Sequence, residues 1–180
     1  MLDVVLALIP ALAVAIFTFG FRALTMTVAT IISCVVFEWL YCKVNHKKAT
    51  IGDLSAVVTG ILIAFNVPVA APIWMPVIGG AFAIIVVKML FGGIGKNFMN
   101  PALGARAFMM ASWPALMTTW VQPHQKLPLF ASVEVTDAIS TATPLASLKA
   151  KTLPSESILD LFFGQHGGVI GETCALALLV

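Results

Sequence analysis

Between residues 137 and 144 the chain reads Asp-Ala-Ile-Ser-Thr-Ala-Thr-Pro, which sets one carboxylate and three hydroxyls in a chain that is otherwise strongly apolar. Two kinds of chemistry suit this spacing. Asp137, Ser140 or Thr143 can cap a short helix, its oxygen accepting a free backbone N–H while Pro144 occupies the first helical position. Alternatively, Pro144 pushes Thr143 into an extended conformation, and the small Ala142 beside it leaves the Thr143 hydroxyl open to a modifying enzyme. Spacing alone leaves both readings open.

Other chemistry-bearing residues are sparse. Cys34, Cys42 and Cys174 form no Cys-x-x-Cys pair and lie in or beside apolar runs, where a thiol packs as a small hydrophobe. Three thiols also fall short of the four a cluster needs within one chain. His46, His124 and His166 have no metal-ligand spacing, so they are expected in loops and no metal site is expected. Gly92, Gly93 and Gly95 permit a sharp turn or close approach to a ligand. Asn100-Pro101 reads as an N-cap followed by a first-turn proline. Arg106 lies in an apolar stretch, where a guanidinium must reach the headgroups or find a partner or cofactor. Glu172 is expected to cap a helix N-terminus, with a place on an ion path as the alternative. Glu38 is expected at a membrane interface.

The elements that position these residues follow from composition. Apolar residues make up 60% of the chain and charged residues 10%, and the mean hydropathy is +1.02. These values define an integral membrane protein rather than a soluble domain. A net charge of +2, without a basic stripe, argues against nucleic-acid binding.

A helix crossing a hydrocarbon core of about 30 Å needs roughly 20 residues, and fewer if it is broken or re-entrant. Five such segments are expected, at about 2–19, 23–41, 54–67, 73–91 and 101–120, with a sixth beginning at 169–180. Gly20 and Arg22 form the turn between the first two, and Asn66-Val-Pro68 cuts the third short. The N-terminal run lacks a basic stretch and cleavage site, so it reads as a spanning segment rather than a removed signal. The fold class is therefore all-α, a polytopic bundle with short and broken helices, and the sequence is expected to be part of a longer protein. Lys43, Lys47 and Lys48 place the 43–52 loop on the cytoplasmic side. Counting crossings from there puts Lys88, Lys96 and the N-terminus inside, and the 121–168 loop outside.

Asp137 to Thr143 resembles the flavinylation motif Asp-x-x-Ser/Thr-Gly-Ala-Thr, whose last Thr receives FMN in phosphoester linkage from a flavin transferase. Thr141 stands where that motif has Gly. Phe91-Gly-Gly-Ile-Gly-Lys-Asn-Phe-Met-Asn-Pro-Ala-Leu-Gly-Ala-Arg-Ala-Phe108, Ala64-Phe-Asn-Val-Pro68 and Gly168-Val-Ile-Gly-Glu-Thr173 are similar, in order and spacing, to the RnfD and NqrB membrane subunits. Pro-Leu-Ala after Thr143 is closer to RnfD.

The resemblance implies a subunit of a redox-driven ion pump in the prokaryotic cytoplasmic membrane, without turnover of its own. RnfD-like proteins couple electron transfer between ferredoxin and NAD to Na+ or H+ movement, and NqrB-like proteins join NADH to quinone. It further implies FMN on Thr143 within the motif Asp137, Ser140, Thr141 and Ala142, and a second, non-covalent flavin such as riboflavin. Asn66, Gly92, Gly93, Gly95, Asn100, Arg106 and Glu172 are candidates to line that flavin or the ion path. Implied partners are the other complex subunits, one with its own covalent FMN, the flavin transferase, and membrane lipid. The competing readings are a urea- or ammonium-channel-like transporter and a scaffold, neither of which needs bound flavin.

Overall fold

The computed structural model describes residues 1–47, 50–124, 129, 148–149, 151, 157–164 and 166–179. The Asp137–Thr143 motif lies outside the described residues. All regular structure described is helical: α1 (Leu2–Phe19), α2 (Phe21–Val44), α3 (Ser55–Phe65), α4 (Trp74–Ala81), α5 (Pro101–Ser112), α6 (Pro114–Met117), α7 (Ile158–Phe163) and α8 (Ala175–Leu179). A π-helical stretch, Phe82–Met89, continues α4.

Two of these, α1 and α2, are long and apolar enough to cross a membrane, with mean hydropathy 2.4 and 1.8 over their most apolar windows. The packing is that of a protein whose outside is lipid. On α1 the large residues Leu2, Leu6, Ile9 and Phe17 are exposed, while Ala11, Ala15 and Thr18 are buried. Small residues at helix contacts allow backbones to approach closely where lipid gives no hydrophobic drive for association. Thus α3 crosses α2 at Gly60, where an added Cβ would lie 2.7 Å from Ile31 Cα, and α4 meets α2 at Gly80, against Ser33 Oγ and Cys34 Sγ.

The expected turn between the first two segments is tighter than the sequence suggests. Gly20 alone makes it, at φ 75°, which a residue with a Cβ rarely adopts. Arg22 is no turn residue: it lies in the first turn of α2 and is buried. The fifth segment is also interrupted, because Pro114 displaces Trp113 from helical geometry (φ −135°, ψ 62°), so α5 stops at Ser112.

The third segment ends as Asn66-Val-Pro68 implies, after 11 residues, or about 16 Å of helix. The next stretch, Val67 to Pro72, is irregular yet buried. Buried backbone polar groups need partners, and these come from distant chain. Arg22 Nε donates to Val69 O (2.7 Å) and Nη2 to Ala71 O (3.0 Å). The Ile170 N–H donates to Val67 O and the Gly171 N–H to Phe65 O, and Pro68 and Val169 form an isolated antiparallel bridge. The turn before α8 is therefore docked against the break after α3.

Candidate functional site

The structure brings two of the sequence candidates into direct contact. Asn66 follows the last turn of α3, and Arg106 lies in the second turn of α5. Arg106 Nη1 donates to Asn66 Oδ1 at 2.7 Å, while Asn66 Nδ2 donates back to Leu62 O at 2.7 Å. Asn66 is thereby oriented with its oxygen toward the guanidinium. Arg106 is half-buried, and its other N–H groups make no hydrogen bond to the described residues. The site is a fixed cationic donor set at a helix break, chemistry that suits an anion or the carbonyl edge of an electron-rich ring. Gly171, one residue before Glu172, approaches Phe65 so closely that a Cβ there would lie 2.4 Å from Phe65 Cβ. Glu172 itself is exposed. Its backbone N–H donates to Val169 O, and its carboxylate makes no capping bond among the described residues.

Gly92, Gly93 and Gly95 form a turn, with φ of 103°, 93° and 80°. Asn100 is the N-cap expected of it, its side chain accepting from the Ala102 N–H at 2.9 Å with Pro101 behind it. Between them, Asn97 Oδ1 is buried and accepts no hydrogen bond from the described residues. An orphaned acceptor of this kind matches a ligand N–H, such as that of a flavin's imide edge. Arg106 thus offers hydrogen-bond donors and Asn97 an acceptor, the kinds of group that the edge of a flavin ring pairs with.

Two further charges, besides Arg22, are buried within the protein. An interfacial carboxylate is expected at Glu38 and an inner-face ammonium at Lys88. Within the protein both are buried, at 0% and 2% side-chain exposure, and they pair with each other at 2.7 Å. Lys88 Nζ also donates to Ser55 Oγ at 2.5 Å, and the Thr50 hydroxyl donates to the other carboxylate oxygen of Glu38. Asp53 Oδ1 accepts the Ser55 N–H at 2.8 Å, which holds the start of α3 in place. Glu38, Thr50, Ser55 and Lys88 form a quartet drawn from four elements: α2, the 50–53 segment, α3 and the π stretch. A signal was available, since a Glu and a Lys each sit within an apolar run, and ionised groups in such segments pair. Their separation of 50 residues gave no hint that they pair with each other.

Beside this quartet is a cavity of about 300 Å³, lined by Cys42, Lys47, Thr50, Asp53, Lys88, Met89 and the 92–94 turn. Lys47, Thr50 and Asp53, described residues of the connection between α2 and α3, thus share one end of the bundle with the 89–94 turn. At the other end the His124 N–H donates to Thr18 O at 2.8 Å, and the His124 ring meets Phe17 edge to face. His46 and His124 occupy positive-φ turn positions. Cys34, Cys42 and Cys174 are free and buried, and among the described residues no group of His, Cys, Asp and Glu could hold a metal.

Broken apolar helices around buried, paired charges define an all-α membrane protein, and the chain belongs to the NQR2, RnfD, RnfE family, whose model matches residues 1–180. Among curated relatives it is 50% identical over 183 residues to the D subunit of the Na(+)-translocating ferredoxin:NAD(+) oxidoreductase complex of Acetobacterium woodii, a match covering 100% of this chain and 54% of that protein. It is 40% identical over 189 residues to the D subunit of the proton-translocating ferredoxin:NAD(+) oxidoreductase complex of Clostridium ljungdahlii (100% and 55%). A third relative, the D subunit of the ion-translocating oxidoreductase complex of Rhodobacter capsulatus, is 34% identical over 200 residues (99% and 56%). The chain spans about half the length of the curated relatives it matches.

Proposed function

We propose that this chain is the flavin-bearing part of a D-type subunit in an ion-translocating ferredoxin:NAD oxidoreductase of the Rnf kind, in the prokaryotic cytoplasmic membrane. The observation that carries the reading is Asp137-Ala-Ile-Ser-Thr-Ala-Thr143, which lies in a chain matched along its whole length by subunits of that name. FMN supplies one- and two-electron transfer chemistry when bound. Thr143 holds it through an ester between the hydroxyl and the phosphate, and Asp137, Ser140, Thr141 and Ala142 form the stretch read by the flavin transferase. A covalent tether keeps such a group at high effective concentration during large movements.

Arg106, oriented by Asn66, and Asn97 beside Gly92, Gly93, Gly95 and Asn100 are the chain's own groups for a second, non-covalent flavin such as riboflavin. The assembled complex, including a further covalent-FMN subunit, couples electron transfer to Na+ or H+ transport. The Acetobacterium and Clostridium relatives differ by name in the ion they translocate, so the ion is assigned by transport measurement and not by likeness. The N-terminus and the 43–52 loop face the cytoplasm, and 121–168 faces outward.

The test is in-gel flavin fluorescence of the denatured full-length protein, co-expressed with its flavin transferase, beside Thr143→Ala. Fluorescence in the wild type and none in the variant is expected. Darkness in both refutes covalent attachment and moves a channel or scaffold role to first place.

A further inference from the structure

One groove on the molecule is lined by none of the flavin candidates and by no member of the buried quartet. Phe37, Leu40, Tyr41 and Val44 recur at helical spacing on α2 and form one wall of a cavity of about 320 Å³, which Asn45 and Ile85 complete. The opposing wall is thus the π stretch, three residues before Lys88. The lining is almost wholly apolar apart from Asn45 and the Tyr41 hydroxyl, and Leu40 and Val44 are exposed beside it.

Two cations lie at the same end of α2 as this groove. Lys47 Nζ lies 5.4 Å from the centroid of the Tyr41 ring, which itself lines the groove. Lys43, adjacent to Val44, sits with Nζ 4.7 Å from the Trp39 centroid. Both lysines are exposed. The nearby carboxylates do not offset them: Glu38 is engaged by Lys88 and Thr50, and Asp53 accepts from the Ser55 backbone. Aromatic rings with ammonium groups over them are the usual boundary between acyl chains and headgroups.

We propose that this groove binds an anionic phospholipid, its acyl chain against Phe37, Leu40 and Ile85 and its phosphate beside Lys43 and Lys47. Charge complementarity selects the occupant: a neutral lipid or a partner's apolar helix satisfies the groove but leaves both ammonium groups unmatched. The assignment rests on the proposed cytoplasmic placement of this end, where anionic headgroups concentrate. A lipid seated there braces α2 against the π stretch, on the contact that also carries Glu38 and Lys88.

The test is native mass spectrometry of the purified, full-length complex with added phosphatidylglycerol or phosphatidylcholine. Wild type is expected to retain phosphatidylglycerol preferentially. Lys43→Gln and Lys47→Gln are each expected to weaken that retention about fivefold, while Leu40→Trp, which fills the groove, reduces retention of both lipids. Equal retention of the two lipids by wild type overturns the proposal, as does undiminished phosphatidylglycerol in the double lysine variant, the result expected if a partner helix covers the groove. Flavin fluorescence on the same samples reports on the redox reading separately, so either idea can fail alone.

Discussion

Lys88→Met tests whether Glu38 and Lys88 act as a unit. Their 2.7 Å contact corresponds to an attraction of about 6 kcal/mol at an effective dielectric of about 20, most of which offsets the cost of taking both charges out of water. The net worth of the pair against apolar side chains is therefore small, but removing one partner is expensive. Lys88→Met leaves a carboxylate with 0% exposure and only the Thr50 hydroxyl for company, and Glu38→Gln leaves an ammonium facing Ser55. Each single variant is expected to cost about 3–5 kcal/mol. The double variant should cost no more than the worse single one, because it buries no unmatched charge, so the coupling is on the order of 3 kcal/mol. The assay is a double-mutant cycle on the full-length protein, unfolded in mixed SDS–detergent micelles and followed by helical circular dichroism. Effects that add to within about 0.5 kcal/mol refute the reasoning, since they mean the two charges are satisfied independently.

Arg22→Met removes the donors to Val69 O and Ala71 O while keeping much of the packing. It is expected to destabilise by about 1–3 kcal/mol per stranded carbonyl in the same unfolding assay, and a value within error of wild type refutes the role given to Arg22. Gly171→Ala forces a Cβ to within 2.4 Å of Phe65 Cβ and is expected to cost about 1–3 kcal/mol by overpacking. Phe65→Gly removes both the clashing Cβ and the ring, so Gly171→Ala in a Phe65→Gly background is expected to add little; a full additional loss there counts against the close approach.

Several features were legible because their causes are local. The break after α3 is written in Asn66-Val-Pro68, the cap of α5 in Asn100-Pro101, and the turn at 92–95 in its glycines, since each depends on one to three adjacent residues. For the opposite reason the partners of Arg22 and Glu38 are not legible. The positions of these two residues in the chain suggest a turn and an interface, but their partners lie 47 and 50 residues away, and only the fold brings those partners near. Arg106 is intermediate: the cost of a guanidinium in an apolar helix announces a partner, but nothing in the chain names Asn66.

The partners of Arg22 and Arg106 share a cause. A helix of 11 residues cannot span a bilayer alone, so the chain past Phe65 must run irregularly through the interior, where water cannot satisfy it. Each exposed carbonyl of that stretch then requires a donor from elsewhere, and the structure supplies Arg22 from α2 and the Ile170 and Gly171 amides from the turn before α8. Asn66 sits at the start of the stretch and hands its own oxygen to Arg106 on α5. Three separate segments are thereby committed to one break, and shifting any of them strands a buried polar group at it. Such a junction favours a small number of discrete arrangements over gradual deformation, the property a membrane subunit needs if a change at one end of its bundle is to be felt at the other.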